Sequence, residues 1–331
     1  MFIPPRRLVF AGGGMKLFAH VGAITYLYEK GYLQNVREFA GVSAGGFISL
    51  LCALKYTPSE IKKLCYKFQF SLIRHVDPEH LLDIMDTFGL DDGKNLEMLM
   101  KSVLHYKNLS PDATFQDLQE KGFYKLCVWA TNIQTLEAVQ MNVETTPSMS
   151  IVKALHASMA YPLYFIPVQH PESQQLLVDG GIMGNYPIFH YEEEDMRHTL
   201  GITFINETQE VTPHIDDFLT FLQSLLACYY VPQSRVQLQK YMHNTIVIPV
   251  GSFPSLHFEL TLEEKDMLFT KGYEATEAFL KSFTAPSRKM VRRHSVSWET
   301  MLPAYRERRC SHVYKLESKN DLIPPSSRGP S

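Results

Sequence analysis

Two strand-to-helix junctions in quick succession near the start of the chain narrow its fold more than anything that follows. Arg7–Phe10 is a short apolar run that stops at Ala11-Gly12-Gly13-Gly14, which predicts a strand followed by a tight loop. From Met15 to Lys30, the residues Leu17, Phe18, Val21, Ile24, Leu27 and Tyr28 share one helical face, and Gly31 supplies the stop. Glu38–Val42 reads as a second strand, Ser43-Ala44-Gly45-Gly46 as a turn, and Phe47–Leu54 as a buried helix. Strand, helix, strand, helix predicts an α/β fold with a mostly parallel sheet covered on both faces.

The rest of the chain continues this pattern. Thr57-Pro58-Ser59-Glu60 has the form of a helix start: a capping threonine, a first-turn proline and a glutamate three residues on. Helical spacing then runs to about Asn108, broken at Asp91-Asp92-Gly93. Residues 57–108 therefore read as a helical insertion, either a lid or an outer helical layer. Leu126–Ile133 and Glu137–Val143 predict a hairpin, Ser148–Met159 a helix, and Gln175–Val178 a strand ending at Asp179. Thr199–Ile205 and Thr245–Ile248 predict further strands, Ile215–Tyr241 a long helix and Leu262–Phe283 a last one.

Composition excludes several classes. With 331 residues, 45% of them hydrophobic, the chain can bury a core without metals or disulfides. A formal net charge of −3 offers no basic face, so no nucleic-acid partner is expected. Five cysteines at irregular spacing, with no CxxC pair, predict buried free thiols and a reducing, cytoplasmic setting. Met1–Val9 lacks the pattern of a signal peptide, and no apolar run reaches the ~20 residues of a membrane span. After about residue 283 the composition shifts. Residues 284–331 are rich in Arg and Lys and end in Pro and Ser, which predicts a basic, disordered tail. Within it Arg292-Arg293-His294-Ser295 has the pattern of a basophilic kinase site, making Ser295 a candidate for phosphorylation.

Three short motifs carry chemistry. Gly41-Val42-Ser43-Ala44-Gly45 fits the GxSxG elbow, in which a serine on a sharp strand-to-helix turn needs glycines two residues before and after it. The following helix aims its positive end at the serine oxygen; the plainer alternative is a helix-capping serine. Gly12-Gly13-Gly14-Met15-Lys16 suits an oxyanion hole, a phosphate cradle or a simple turn. Leu17 stands where a third dinucleotide-loop glycine would be, and no GKS or GKT is present. Asp179-Gly180-Gly181 places a carboxylate at a strand end with two glycines clearing space, although Asp-Gly alone is a turn signal. None of the thirteen histidines has a local pattern that marks it as a base.

Together, in this order and spacing, the three motifs resemble the patatin-like phospholipases, as does Ala157-Ser158-Met159-Ala160-Tyr161-Pro162-Leu163-Tyr164-Phe165. The resemblance implies a three-layer α/β fold in an acyl hydrolase domain over residues 6–283. It implies Ser43 as nucleophile and Asp179 as base, with Gly41 and Gly45 shaping the elbow and Gly180 and Gly181 the loop at the base. Gly12, Gly13, Gly14 and Ala44 would supply oxyanion amides, with Lys16 where the family often has arginine. Leu17 departs from the many members with glycine there. No metal or cofactor is implied. The substrate would be a phospholipid or glycerolipid ester, met by peripheral contact with membranes or lipid droplets. Two alternatives stay open. One is a Ser-His-Asp esterase using His156, His170, His190, His243 or His257. The other is a catalytically silent lipid-binding protein on the same fold.

Overall fold

Alternation of side chains along three strands builds the centre of the molecule. On β1 (Arg7–Phe10), β2 (Glu38–Val42) and β3 (Lys125–Asn132), Leu8, Phe10, Phe39, Leu126, Val128 and Ala130 enter one core. Val9, Ala40, Val42, Cys127 and Trp129 enter a second. Successive strand residues face opposite ways, so these strands separate two cores and must be covered on both sides. The computed structural model describes residues 3–73, 83–205, 215, 218–251 and 253–284.

The sheet is completed by β4 (Glu137–Met141), β5 (Val168–Gln169), β6 (Leu176–Asp179), β7 (Thr199–Ile205) and β8 (Thr245–Pro249). Its order is β5-β6-β3-β2-β1-β7-β8, with β4 also paired to β3. The run from β3 through β2, β1 and β7 to β8 is parallel, whereas β4 and β6 lie antiparallel to β3.

The larger core is roofed by α1 (Leu17–Glu29), α2 (Ala44–Ala53) and the helices Ile151–Met159 and Leu262–Thr284. The smaller one is closed by Tyr186 and Ile188 and by Tyr241, at the end of the long helix Phe218–Tyr241. This is the three-layer α/β architecture expected from the sequence. The α2 helix starts at Ala44 rather than Phe47, because the turn at Ser43 is sharper than a loop. β5 and the helix Phe115–Glu120 were not foreseen. β5 has only two residues, and the helix is set by a capping box between Thr114 and Asp117.

The insertion contributes α3 (Pro58–Lys67) and the helix Lys94–Tyr106. The expected capping box is present: the Thr57 amide donates to Glu60 Oε2 at 2.7 Å, and the Glu60 amide donates to Thr57 Oγ1 at 3.3 Å. Ile61, Cys65, Leu96, Met100 and Leu104 are buried in the larger core, so both helices pack against it. Residues 74–82 of the insertion lie outside the described residues, as do the tail beyond Thr284, Cys310 and Ser295. One thiol corrects the expectation of burial: Cys52, Cys65 and Cys127 are buried, but Cys228 is exposed on the long helix.

Candidate active site

The site follows from how β3 is edged. Residues 128 and 129 of β3 pair with both β2 and β4, and residues 130–132 pair with both β4 and β6. A strand has two edges, so β2 and β6 share the one opposite β4. β2 runs parallel to β3 and ends with Val42 beside Trp129. β6 runs antiparallel and ends with Asp179 beside Ala130, the next residue. The carboxyl ends of β2 and β6 therefore meet head on, and Ser43, one residue past Val42, arrives next to Asp179. β1 ends in the same place, with Phe10 paired to Gly41. Crevices beyond the carboxyl ends of such strands are where open α/β sheets receive ligands.

Ser43 has φ 53° and ψ −127°, a conformation rare for a side-chain-bearing residue. Its hydroxyl makes no helix-capping hydrogen bond, which sets aside the capping alternative. The flanking glycines are required by contact. A Cβ on Gly41 would strike the Gly45 backbone, and one on Gly45 would fall 2.5 Å from the Ala11 carbonyl oxygen. Ala44 is the first residue of α2, so its amide has no acceptor within the helix.

Asp179 is 5% exposed. Its Oδ1 accepts from the Gly181 amide at 2.7 Å, and the Ser43 side chain lies close enough to act on the carboxyl. Burial pushes the carboxyl up to about 6, against the lowering effect of those two neighbours. Gly180 lies so close to β3 that a Cβ would meet the Trp129 carbonyl oxygen.

In the glycine loop two amides face away from the protein's own acceptors. Met15 donates to the Ser255 carbonyl at 2.8 Å and Lys16 to the Gly13 carbonyl at 3.1 Å. Among the described residues the amides of Gly13 and Gly14 have no hydrogen-bond acceptor. Gly14 has φ 53°, and a Cβ there would meet the Ser255 carbonyl. The expectation of an oxyanion amide at Gly12 is corrected: that amide donates to the Asn185 carbonyl at 2.8 Å and holds the loop in place. Lys16 likewise can act only through its side chain. Its ammonium is partly buried, forms no ion pair among the described residues, and is lowered by burial to about 8.

Three residues that sequence reasoning did not single out organise this arrangement. Buried Ser158 accepts from the Ser43 amide at 3.0 Å through Oγ, and from the Gly180 amide at 3.3 Å through its carbonyl. It thereby joins the elbow to the Asp179 loop. Asn185 Nδ2 donates to the Gly12 carbonyl at 3.1 Å, so Asn185 grips Gly12 from both directions. His20 Nε2 donates to the Ala11 carbonyl at 2.9 Å, and burial holds the imidazole neutral, down to about 4. Ser158 lies inside the Ala157–Phe165 segment, whereas no local pattern marks Asn185 or His20.

The histidines weighed as alternative bases are engaged elsewhere. His156 Nδ1 bonds Glu97 at 2.9 Å. It is two residues from Ser158, about 200° around the helix from the side that meets Ser43. His170 accepts from the Glu172 and Ser173 amides, His190 stacks on Trp129, and His257 lies 4.0 Å from Glu264. His243 belongs to a short turn, Met242–Asn244. Among the described residues no group of three or more His, Cys, Asp or Glu is placed to hold a metal, and no helix is long and apolar enough to cross a membrane.

The family model for patatin-like phospholipase matches residues 8–190. An uncharacterized protein of Acanthamoeba polyphaga mimivirus is 27% identical over 282 residues, covering 82% of this chain and 92% of that protein. YqhO of Bacillus subtilis is 28% identical over 301 residues, covering 83% and 98%. Among solved structures, VipD from Legionella pneumophila has the same fold, with a TM-score of 0.58 at 18% identity over 85% of this chain and 67% of VipD. The chain belongs to the patatin-like phospholipases, enzymes that hydrolyse lipid esters.

Proposed function

We propose that the chain hydrolyses carboxylic esters of phospholipids or glycerolipids through a Ser43–Asp179 dyad and an acyl-enzyme. One observation carries the reading: β2 and β6 end at successive residues of β3, which sets Ser43 beside the buried Asp179 carboxyl, raised by burial to about 6. At neutral pH such a group is ionised yet basic enough to take a proton.

The reaction would run as follows. Ser43 Oγ attacks the ester carbonyl carbon as its proton passes to Asp179. The resulting oxyanion accepts from the Gly13 and Gly14 amides and from Ala44 at the head of α2, each donor worth on the order of 3 kcal/mol of barrier. Collapse breaks the bond to the leaving oxygen, which takes the proton from Asp179 and departs as the alcohol or lysolipid. Water then attacks the acyl-enzyme, giving its proton to Asp179, which returns it to Ser43 as the fatty acid leaves. Gly12, Asn185 and Ser158 would hold the parts in register. Lys16, with no ion-pair partner among the described residues, is a cation available to an anionic head group. The reading carries with it a cytoplasmic enzyme acting peripherally at membranes or lipid droplets.

Incubation with defined phospholipids and neutral glycerides, with products read by mass spectrometry, tests it. The wild-type chain should release fatty acid and the Ser43→Ala chain should not. Equal release by both would remove Ser43 from the mechanism. No release by either would favour the silent lipid-binding alternative.

A further inference from the structure

The long helix Phe218–Tyr241 has a face that the fold leaves uncovered. Phe218, Phe221, Leu225, Tyr229 and Val236 are between 49% and 69% exposed. At 3.6 residues per turn these positions fall in one stripe along the helix. Leu222, about 40° around the helix from Phe218, is buried at 3% exposure and marks the edge where the stripe turns into the fold. The same helix packs on the Gly181–Gly184 turn, which begins two residues after Asp179, so the stripe belongs to an element near the site.

Charge says what such a face can meet. Asp216 and Asp217 stand just before the helix, but from Phe218 to Phe258 the sequence contains no aspartate or glutamate, while Arg235 and Lys240 lie within the helix. Lys240, near the helix end, is exposed. Exposed Phe, Leu and Tyr on a helix without carboxylates match an interface where acyl chains lie beneath a layer of phosphates. Anionic phosphates repel carboxylates and tolerate their absence, whereas most protein surfaces intersperse both signs.

We propose that this stripe is the surface by which the enzyme docks on an anionic lipid bilayer, with Phe218, Phe221 and Leu225 entering the acyl boundary. It deepens the lipid-hydrolase reading by naming the element that meets the aggregated substrate.

Sedimentation of the full-length chain with vesicles of equal parts phosphatidylcholine and phosphatidylglycerol tests it. The catalytically blocked Ser43→Ala background keeps the vesicles intact. That protein should sediment with the vesicles. Combining Phe218→Ser, Phe221→Ser and Leu225→Ser should weaken partitioning at least about tenfold. Leu225→Glu alone, at a position already half exposed, should act in the same direction through charge. Tyr28→Ser, exposed on α1 away from the stripe, should bind like its parent. In the Ser43-containing chain, the triple substitution should leave turnover of a water-soluble ester within about twofold, since the stripe adds binding and not chemistry.

The proposal is overturned if the triple variant and Leu225→Glu sediment as the parent does, or if the parent stays in the supernatant. It is also overturned if sedimentation velocity shows a dimer that the triple variant breaks, which would assign the stripe to a second copy of the chain. Failure of the dyad is distinguishable. A wild-type chain that sediments but cleaves no ester leaves the docking surface standing. One that cleaves the soluble ester but never sediments leaves the dyad standing.

Discussion

Burial sets the acidity of Asp179 and costs the fold stability when the carboxyl ionises. The carboxyl is raised from its usual 3.8 to about 6 because its anion is desolvated. Two consequences follow with opposite signs. As the proposed base, Asp179 would work only when ionised, so kcat/KM should rise with pH through an apparent pKa near 6; a flat profile from pH 5 to 8 would argue for a different base. As a buried acid with a raised folded pKa, it stabilises the fold fully below its unfolded pKa of about 4. That contribution fades as pH rises through about 6. Asn185 is the complementary case, a residue that acts through others. Asn185→Ala frees the Gly12 carbonyl from the side-chain donor 3.1 Å away, and the glycine loop should lose definition. We expect kcat to fall about 10–100-fold with KM little changed, since transition-state donors are misplaced while substrate contacts remain. Steady-state kinetics check this; a change confined to KM would mean Asn185 only shapes binding.

At the scale of elements, close approach explains what holds the site's scaffold. α1 and the final helix pack through paired glycines: a Cβ on Gly272 would strike the Ala19 carbonyl, and one on Gly22 the Phe269 carbonyl. Gly272→Ala should therefore destabilise by about 1–3 kcal/mol through overpacking, despite the better helix propensity of alanine. Thermal or urea unfolding measures it, and a more stable variant would refute the close-packing account. Elements were also the level most legible in the sequence. β1, α1, β2 and the hairpin of β3 and β4 could be read because apolar period and glycine stops are local signals. β5 could not, since a two-residue strand has no period. Nor could the exposure of Cys228, because thiol burial depends on which face of its helix finds a partner. The motifs mark Ser43, Asp179 and the glycine loop as candidates, but not which amides of the loop stay free. Gly12 and Gly13 look alike in sequence, and only the position of Asn185 sets them apart.

For the whole molecule, the central claim is that two remote segments are brought into reach by sharing one edge of β3, with Val42 and Asp179 paired to successive residues of that strand. The elbow alone or the Asp-Gly-Gly turn alone would be ordinary structure; the sheet makes them a pair. Removing the charge of Asp179 should then separate chemistry from stability. Asp179→Asn eliminates the buried anion, worth on the order of 3 kcal/mol above pH 7 for a shift of this size, so the variant should melt no lower than the parent. The most direct measurement is intact-protein mass spectrometry after exposure to a lipid-like fluorophosphonate, run beside thermal unfolding at pH 7.5. We predict one adduct on wild type, mapped to Ser43, and labelling of Asp179→Asn slowed by about 10²–10⁴ with the melting temperature held or raised. An adduct on another residue, or labelling of Asp179→Asn at the wild-type rate, would contradict the account.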